Sequence, residues 1–293
     1  MRRLLVLLFL AGCVTTSSQR APEVWGDLRP GGYGVGYRVE EKDVSVWYPA
    51  DPGGTPVTLG DYTADEEWPR ATPMFAVRDA RPVRGRYPVV LIAQGNQQDA
   101  AAQAVLAEYL ASSGFIVATT PSPMIATPMT GTDEVATFAE KQADDLDRAL
   151  EAVRGVRGAA TTELAVIGHS FGARAALLFA MRRGHRLAAL VSLDGGIGTA
   201  TAVDVFRSAR SFDPAADLPP ILHLYEENDE FMKPDFALLR SLRPQELVLE
   251  KKDGLRHAHF TTRGFLIPEK RAEAASVARA TLAYLGRYVR LVR

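Results

Sequence analysis

Gly168-His169-Ser170-Phe171-Gly172 places a serine between two glycines, where an apolar run (Leu164-Ala165-Val166-Ile167) gives way to an alanine- and leucine-rich stretch ending near Met181. A strand turning sharply into a helix presents such a serine with its Oγ exposed and its backbone strained. Side chains larger than hydrogen at the two flanking positions would clash. The chemistry this serves is acyl transfer: the serine attacks a carbonyl, a histidine takes its proton, and a carboxylate holds the histidine. An oxyanion needs backbone donors, and the amide of Phe171, at the open start of the helix, supplies one. The second is expected from Asn96, in the Gln94-Gly95-Asn96 turn after the apolar stretch Tyr87 to Ala93; Gly95 permits close approach and Gln94 shapes the loop.

Chain order in this type of site is nucleophile, acid, histidine. Of the histidines, His169 lies inside the serine motif, His185 is too close behind it, and His223 falls in a buried strand. His257 and His259 remain, on a loop between the last strand and the last helix. Their i, i+2 spacing would also suit a metal site, but no third histidine or cysteine accompanies them. No metal or organic cofactor is required. Two aspartates follow strands at the correct end, Asp194 in Ser192-Leu193-Asp194-Gly195-Gly196 and Asp229 in Glu226-Glu227-Asn228-Asp229. Asp229 sits among acids, as a solvated turn would, whereas Asp194 ends an apolar strand; this favours Asp194 and leaves Asp229 as the alternative.

The elements that must hold these residues alternate along the chain. Strands are expected at 44–48, 87–93, 115–118, 163–168, 187–193, 221–225 and 246–250, and helices at 100–112, 137–154, 171–183 and 269–288. Residues 51–86, rich in Gly, Pro and Asp, read as a long excursion. Buried strands separated by helices make an α/β fold, a mostly parallel central sheet with helices on both faces. The loops at 121–136 and 195–216 carry Pro, Met, Ile and Phe and are expected to wall an acyl pocket.

With 293 residues, 47% hydrophobic and 24% charged, the chain is sized for one such domain, expected over 32–293. A net charge of -1 with interspersed signs argues against nucleic acid as a partner. Met1-Arg2-Arg3, the apolar run Leu4 to Leu10 and small Ala11-Gly12 have the layout of an export signal over 1–12, too short to span a bilayer. Leu10-Ala11-Gly12-Cys13 resembles the lipobox of bacterial lipoproteins. The resemblance implies cleavage before Cys13, the only cysteine, and lipidation of its sulfur. Residues 13–31 would then be the lipidated cysteine and a flexible tether. Val14 stands where an inner-membrane retention signal would carry Asp, so an outer-membrane anchor facing the periplasm is expected.

GHSFG, then LDGG, then His257-Ala258-His259-Phe260, with Val46-Trp47-Tyr48-Pro49 earlier, is similar to the platelet-activating-factor acetylhydrolase group and to dienelactone-hydrolase-like proteins. That resemblance implies an α/β-hydrolase fold. It makes the aspartate of the LDG stretch the acid and the histidine three residues before Phe the base, hence Asp194 and His257 with Ser170. The chain departs from the group at Gln94-Gly95, where His-Gly is usual. The expected activity is hydrolysis of short to medium acyl esters, including phospholipid or aryl esters. An acyltransferase with the same triad, or an inactive binding lipoprotein on the same fold, are the alternatives.

Overall fold

The structure, a computed structural model, describes residues 19–122 and 131–289. Cys13 and the expected signal segment 1–12 lie outside the described residues. In chain order the strands are β1 (Gly34–Glu40), β2 (Val44–Ala50), β3 (Pro56–Thr58), β4 (Pro73–Arg78), β5 (Tyr87–Ala93), β6 (Ile116–Thr120), β7 (Ala159–His169), β8 (Ala189–Leu193), β9 (Ile221–Tyr225) and β10 (Leu247–Lys251). The helices are α1 (Ala104–Ser112), α2 (Thr132–Arg154), α3 (Gly172–Arg183), α4 (Ala202–Arg207), α5 (Ala237–Ser241), α6 (Thr262–Leu266) and α7 (Arg271–Tyr288). One sheet runs β10-β9-β8-β7-β5-β6-β2-β1-β4-β3. From β10 through β6 every neighbouring pair is parallel. The antiparallel pairing of β2 with β6 and with β1 begins the mixed edge.

The central strands read as unbroken apolar runs because both of their faces are covered. Val90 and Ile92 of β5 point into a core shared with α1, α6 and α7, together with Val117, Ile167 and Val191. Val89, Leu91 and Ala93 point into a second core built on α2, α3 and α4. A side-chain period of two thus feeds two cores from one strand. Parallel strands also bring their carboxyl ends to one edge, and the loops after β5, β7, β8, β9 and β10 meet there.

Three expectations are corrected. The domain does not begin at Gly32: Val24, Trp25 and Leu28 are buried in the first core, so the segment expected to be tether is packed from about Pro22 onward. Residues 51–86 are not mere excursion, since they carry β3 and β4 on the sheet edge. Helix α2 begins at Thr132, five residues early, with Asp133 and Glu134 in its first turn, where acids complement the helix dipole. A single buried carboxylate explains how the early segments adhere. Glu108 of α1 accepts from Trp25 Nε1 (3.2 Å), Tyr62 OH (2.6 Å) and the backbone N–H groups of Phe75 (3.0 Å) and Ala76 (2.8 Å). Burial raises its pKa, opposed by these four donors.

Candidate active site

Ser170 follows β7 and precedes α3 with φ at 53°, in the left-handed region that a residue with a Cβ enters only under constraint. The constraint is steric and hydrogen-bonded. A Cβ on Gly172 would land on the carbonyl oxygens of Ala93 and Gln94, and one on Gly168 would land on the backbone of Ala173. The elbow is therefore wedged between the end of β5 and the start of its own helix. Ser170 N donates to Leu193 O (3.2 Å) and Gly196 N donates to Ser170 O (2.8 Å), tying it to the end of β8.

His257 opens a 3-10 turn, His257–Phe260, and its ring reaches back to the elbow. Nε2 lies 2.8 Å from Ser170 Oγ and Nδ1 lies 2.6 Å from Asp194 Oδ2. An ionised carboxylate only accepts, so Nδ1 carries the proton and Nε2 is left to accept from the serine hydroxyl. Asp194 is buried and itself sits at φ 43°. Its backbone N donates to Leu224 O (2.7 Å), and its Oδ1 accepts from Glu226 N (3.3 Å). His169 stacks on His257 with ring centroids 4.9 Å apart. Burial, then the neighbouring His257, holds its pKa well below 6.5, so it stays neutral beside the base.

The two alternatives take other places. Asp229 does not meet the imidazole: its Oδ2 accepts from the backbone N of His257 (2.7 Å). His259 does not reach Ser170; its Nδ1 accepts from Arg256 N (3.0 Å) and closes the turn on itself. Residues that the sequence reading passed over hold the histidine loop. Asn228 Nδ2 donates to Leu255 O (2.6 Å), and buried Glu226 accepts from Asp229 N (3.1 Å). Their signal was the same acidic turn that read as solvated.

The backbone N–H groups of Phe171, the residue after the serine, and of Asn96 have no acceptor among the described residues. The turn that carries Asn96 is fixed from behind. Gln98 Oε1 accepts from Gly95 N and from His169 Nδ1, both at 2.9 Å. Gln94 is buried, donates to Thr119 Oγ1 (3.1 Å), and its carbonyl accepts from Gln142 Nε2 (2.8 Å). The part of the expected apolar wall that falls in 195–216 is turned inward instead. Ile197 and Phe206 are packed in the second core, α4 occupies part of 195–216, and 123–130 lie outside the described residues. Among the described residues, Phe231 is a large apolar side chain at the site. It is 71% exposed, with its ring edge-on to His257 at 5.1 Å.

Known proteins resemble the chain in two ways. A ferulic acid esterase from Streptomyces cinnamoneus superposes with a TM-score of 0.62 at 18% identity, over 96% of this chain and 95% of that one, which shows a shared fold. No curated protein matches the sequence. The family description that matches is chlorophyllase, over residues 55–216. That span is more than half the chain and holds Asn96, Ser170 and Asp194, while the loop of His257 lies beyond it. The chain thus belongs to the chlorophyllase family and is a serine ester hydrolase with the α/β-hydrolase fold.

Proposed function

We propose that Ser170, His257 and Asp194 hydrolyse carboxylic esters through an acyl-enzyme. The observation that carries the reading is the unbroken relay from Ser170 Oγ through both ring nitrogens of His257 to Asp194. His257 Nε2 takes the serine proton as Oγ attacks, and Asp194 stabilises the imidazolium that forms. The carbonyl oxygen becomes an oxyanion held by the amides of Phe171 and Asn96, donors that need no rearrangement during the reaction. His257 then gives its proton to the departing alkoxide. Water, deprotonated by the same nitrogen, attacks the acyl-enzyme and regenerates the serine. The substrates are short to medium acyl esters, and exposed Phe231 beside the base favours apolar or aryl groups. The charged, apolar, Leu-Ala-Gly-Cys start supports export and a lipid anchor on Cys13, in the outer membrane facing the periplasm. Full-chain protein that stays in the membrane fraction, and becomes soluble with Cys13→Ala, is the expected result for the anchor.

The test is hydrolysis of p-nitrophenyl esters from C2 to C12 together with a feruloyl ester and chlorophyll, beside labelling by a fluorophosphonate. Wild type labels and turns over at least the shorter esters, and Ser170→Ala does neither, losing about 10⁴-fold or more. Equal rates in wild type and Ser170→Ala would overturn the reading. Transfer of the acyl group to added alcohol in preference to water would make the protein an acyltransferase.

A further inference from the structure

Arg174 is the one charged residue between Gly172 and Met181, and it lies in the first turn of α3, four residues after the nucleophile. Its neighbours one turn away along the helix are Ser170, Phe171, Leu177 and Leu178, none of them acidic. Among the described residues no carboxylate pairs with it and no acceptor takes its N–H groups; Nε is buried without a partner. The guanidinium lies over the Phe171 ring, 5.8 Å from its centroid. It also lies against Gly196: a Cβ there would overlap Cζ and Nη1 and come within 2.7 Å of Nη2. Gly196 in turn donates its N–H to Ser170 O at 2.8 Å. The cation thus touches both the residue after the nucleophile and the second residue after Asp194, and it occupies the space a side chain at position 196 would share. Burial, with no opposing acid, lowers its pKa from 12.5 to about 10, so it is still charged at neutral pH.

Arg174 is half-buried, and a guanidinium whose Nε is closed off from water with no counter-charge carries a desolvation cost. The cost has a use if the missing anion arrives with the substrate. Its place follows from the proposed mechanism, on which this inference rests. The carbonyl oxygen goes to the amides of Phe171 and Asn96, and the leaving oxygen goes to His257 Nε2, on the side of Phe231. The guanidinium touches Phe171, whose amide would hold the oxyanion, and Gly196, which bonds Ser170 O, so the acyl chain, the remaining substituent of the carbonyl carbon, is assigned to that side. We propose that Arg174 is an anion subsite for the acyl group, and that the enzyme takes esters whose acyl chain ends in a carboxylate, the monoesters of dicarboxylic acids. A carboxylate there accepts charge-assisted hydrogen bonds from the guanidinium fork.

Monoethyl esters of the C4 to C8 linear dicarboxylic acids are compared with ethyl esters of the methyl-terminated acids of equal length, by chromatography of the released acid. Wild type is expected to show a higher kcat/KM for at least one monoester than for its neutral counterpart. Arg174→Met, which keeps the apolar stem, lowers that monoester's kcat/KM 10- to 100-fold, chiefly through KM, and leaves the neutral ester within threefold. Arg174→Lys falls between, and added salt weakens only the charged substrate. The neutral ester serves as the internal control for folding. Neutral esters preferred at every length, or equal losses on both series in Arg174→Met, would overturn the subsite while leaving ester hydrolysis intact. No turnover of any ester, by contrast, would count against the proposed function itself.

Discussion

Asp229 holds His257 by the main chain: its Oδ2 accepts the backbone N–H of His257 at 2.7 Å, while the ring of the same histidine is held by Asp194. Two carboxylates at the ends of neighbouring strands therefore divide one task, one setting where the loop stands and the other setting the tautomer. Substitution separates them. Asp194→Asn removes the charge that stabilises the imidazolium and is expected to cost about 10⁴-fold in kcat. Asp229→Asn keeps an acceptor oxygen for the backbone N–H and stays within a few-fold of wild type. Asp229→Ala releases the loop and costs roughly 10- to 100-fold in kcat, as a misplaced base does. Comparable collapse in Asp194→Asn and Asp229→Asn, measured on one p-nitrophenyl ester, would return the acid role to Asp229.

What could be read from the sequence divides along physical lines. The elbow was legible because its glycines answer local steric demands, visible at Gly168 and Gly172, and its flanking strand and helix are continuous in sequence. The buried strands β5, β7, β8 and β9 were legible because two covered faces leave an unbroken apolar run. The edge strand β3 and its neighbour β4 were not, since they lie in a Gly-, Pro- and Asp-rich stretch and their partners lie in β1 and in each other. Trp25 looked like part of a linker because its partner, Glu108, is 83 positions away. Asp229 and Asn228 looked like a solvated turn because the loop they grip lies nearly thirty residues on. Arg174 had a local signal, a lone charge in an apolar helix, that the serine motif overshadowed.

The two histidines two residues apart face different partners, which gives a second prediction. His257→Ala removes the proton acceptor of Ser170 and is expected to abolish turnover to background. Among the described residues His259 accepts from Arg256 N alone, inside its own turn, and is part-buried. Its loss removes one local hydrogen bond, worth about 1 kcal/mol. His259→Ala is expected to lower the melting temperature by a few degrees and to leave kcat within fivefold. A loss in His259→Ala as deep as in His257→Ala would mean that the base assignment is reversed.

Glu108 is expected to dominate the adhesion of the N-terminal segment and the residues around β4 to the domain. Alanine there leaves Trp25 Nε1, Tyr62 OH and two backbone N–H groups without their acceptor inside the core. Several orphaned buried donors together cost about 3–5 kcal/mol. Glu108→Ala should therefore lower the urea midpoint strongly, while the folded fraction keeps wild-type activity because no group of the site touches Glu108. Proteolysis near Ala21 to Leu28 should accelerate in the same variant. An unchanged midpoint would mean that the early segments are held by apolar packing alone.

Acid sensitivity should trace in part to His223. It is buried in β9, its Nδ1 is 2.9 Å from Ser192 Oγ, and burial pushes its pKa down to about 3. In the unfolded chain the same imidazole titrates near 6.5, so between those values the unfolded state binds a proton that the folded state refuses. Stability then falls as pH drops through 6.5, by up to about 1.4 kcal/mol per pH unit for this residue. Buried His169 acts in the same direction. Glu108 and Glu226 oppose it, because burial raises their carboxyls and their folded forms hold protons that the unfolded forms release. The total slope mixes these contributions, and the difference between wild type and His223→Gln isolates one of them. Urea unfolding at pH 7.5, 6.5, 5.5 and 5.0 should show the variant losing about 1.6 kcal/mol less than wild type between pH 6.5 and 5.0, whatever its stability at pH 7.5. Parallel curves would mean that His223 takes up a proton in the folded state, and that water or a rotated Ser192 hydroxyl stabilises the charged ring inside the sheet.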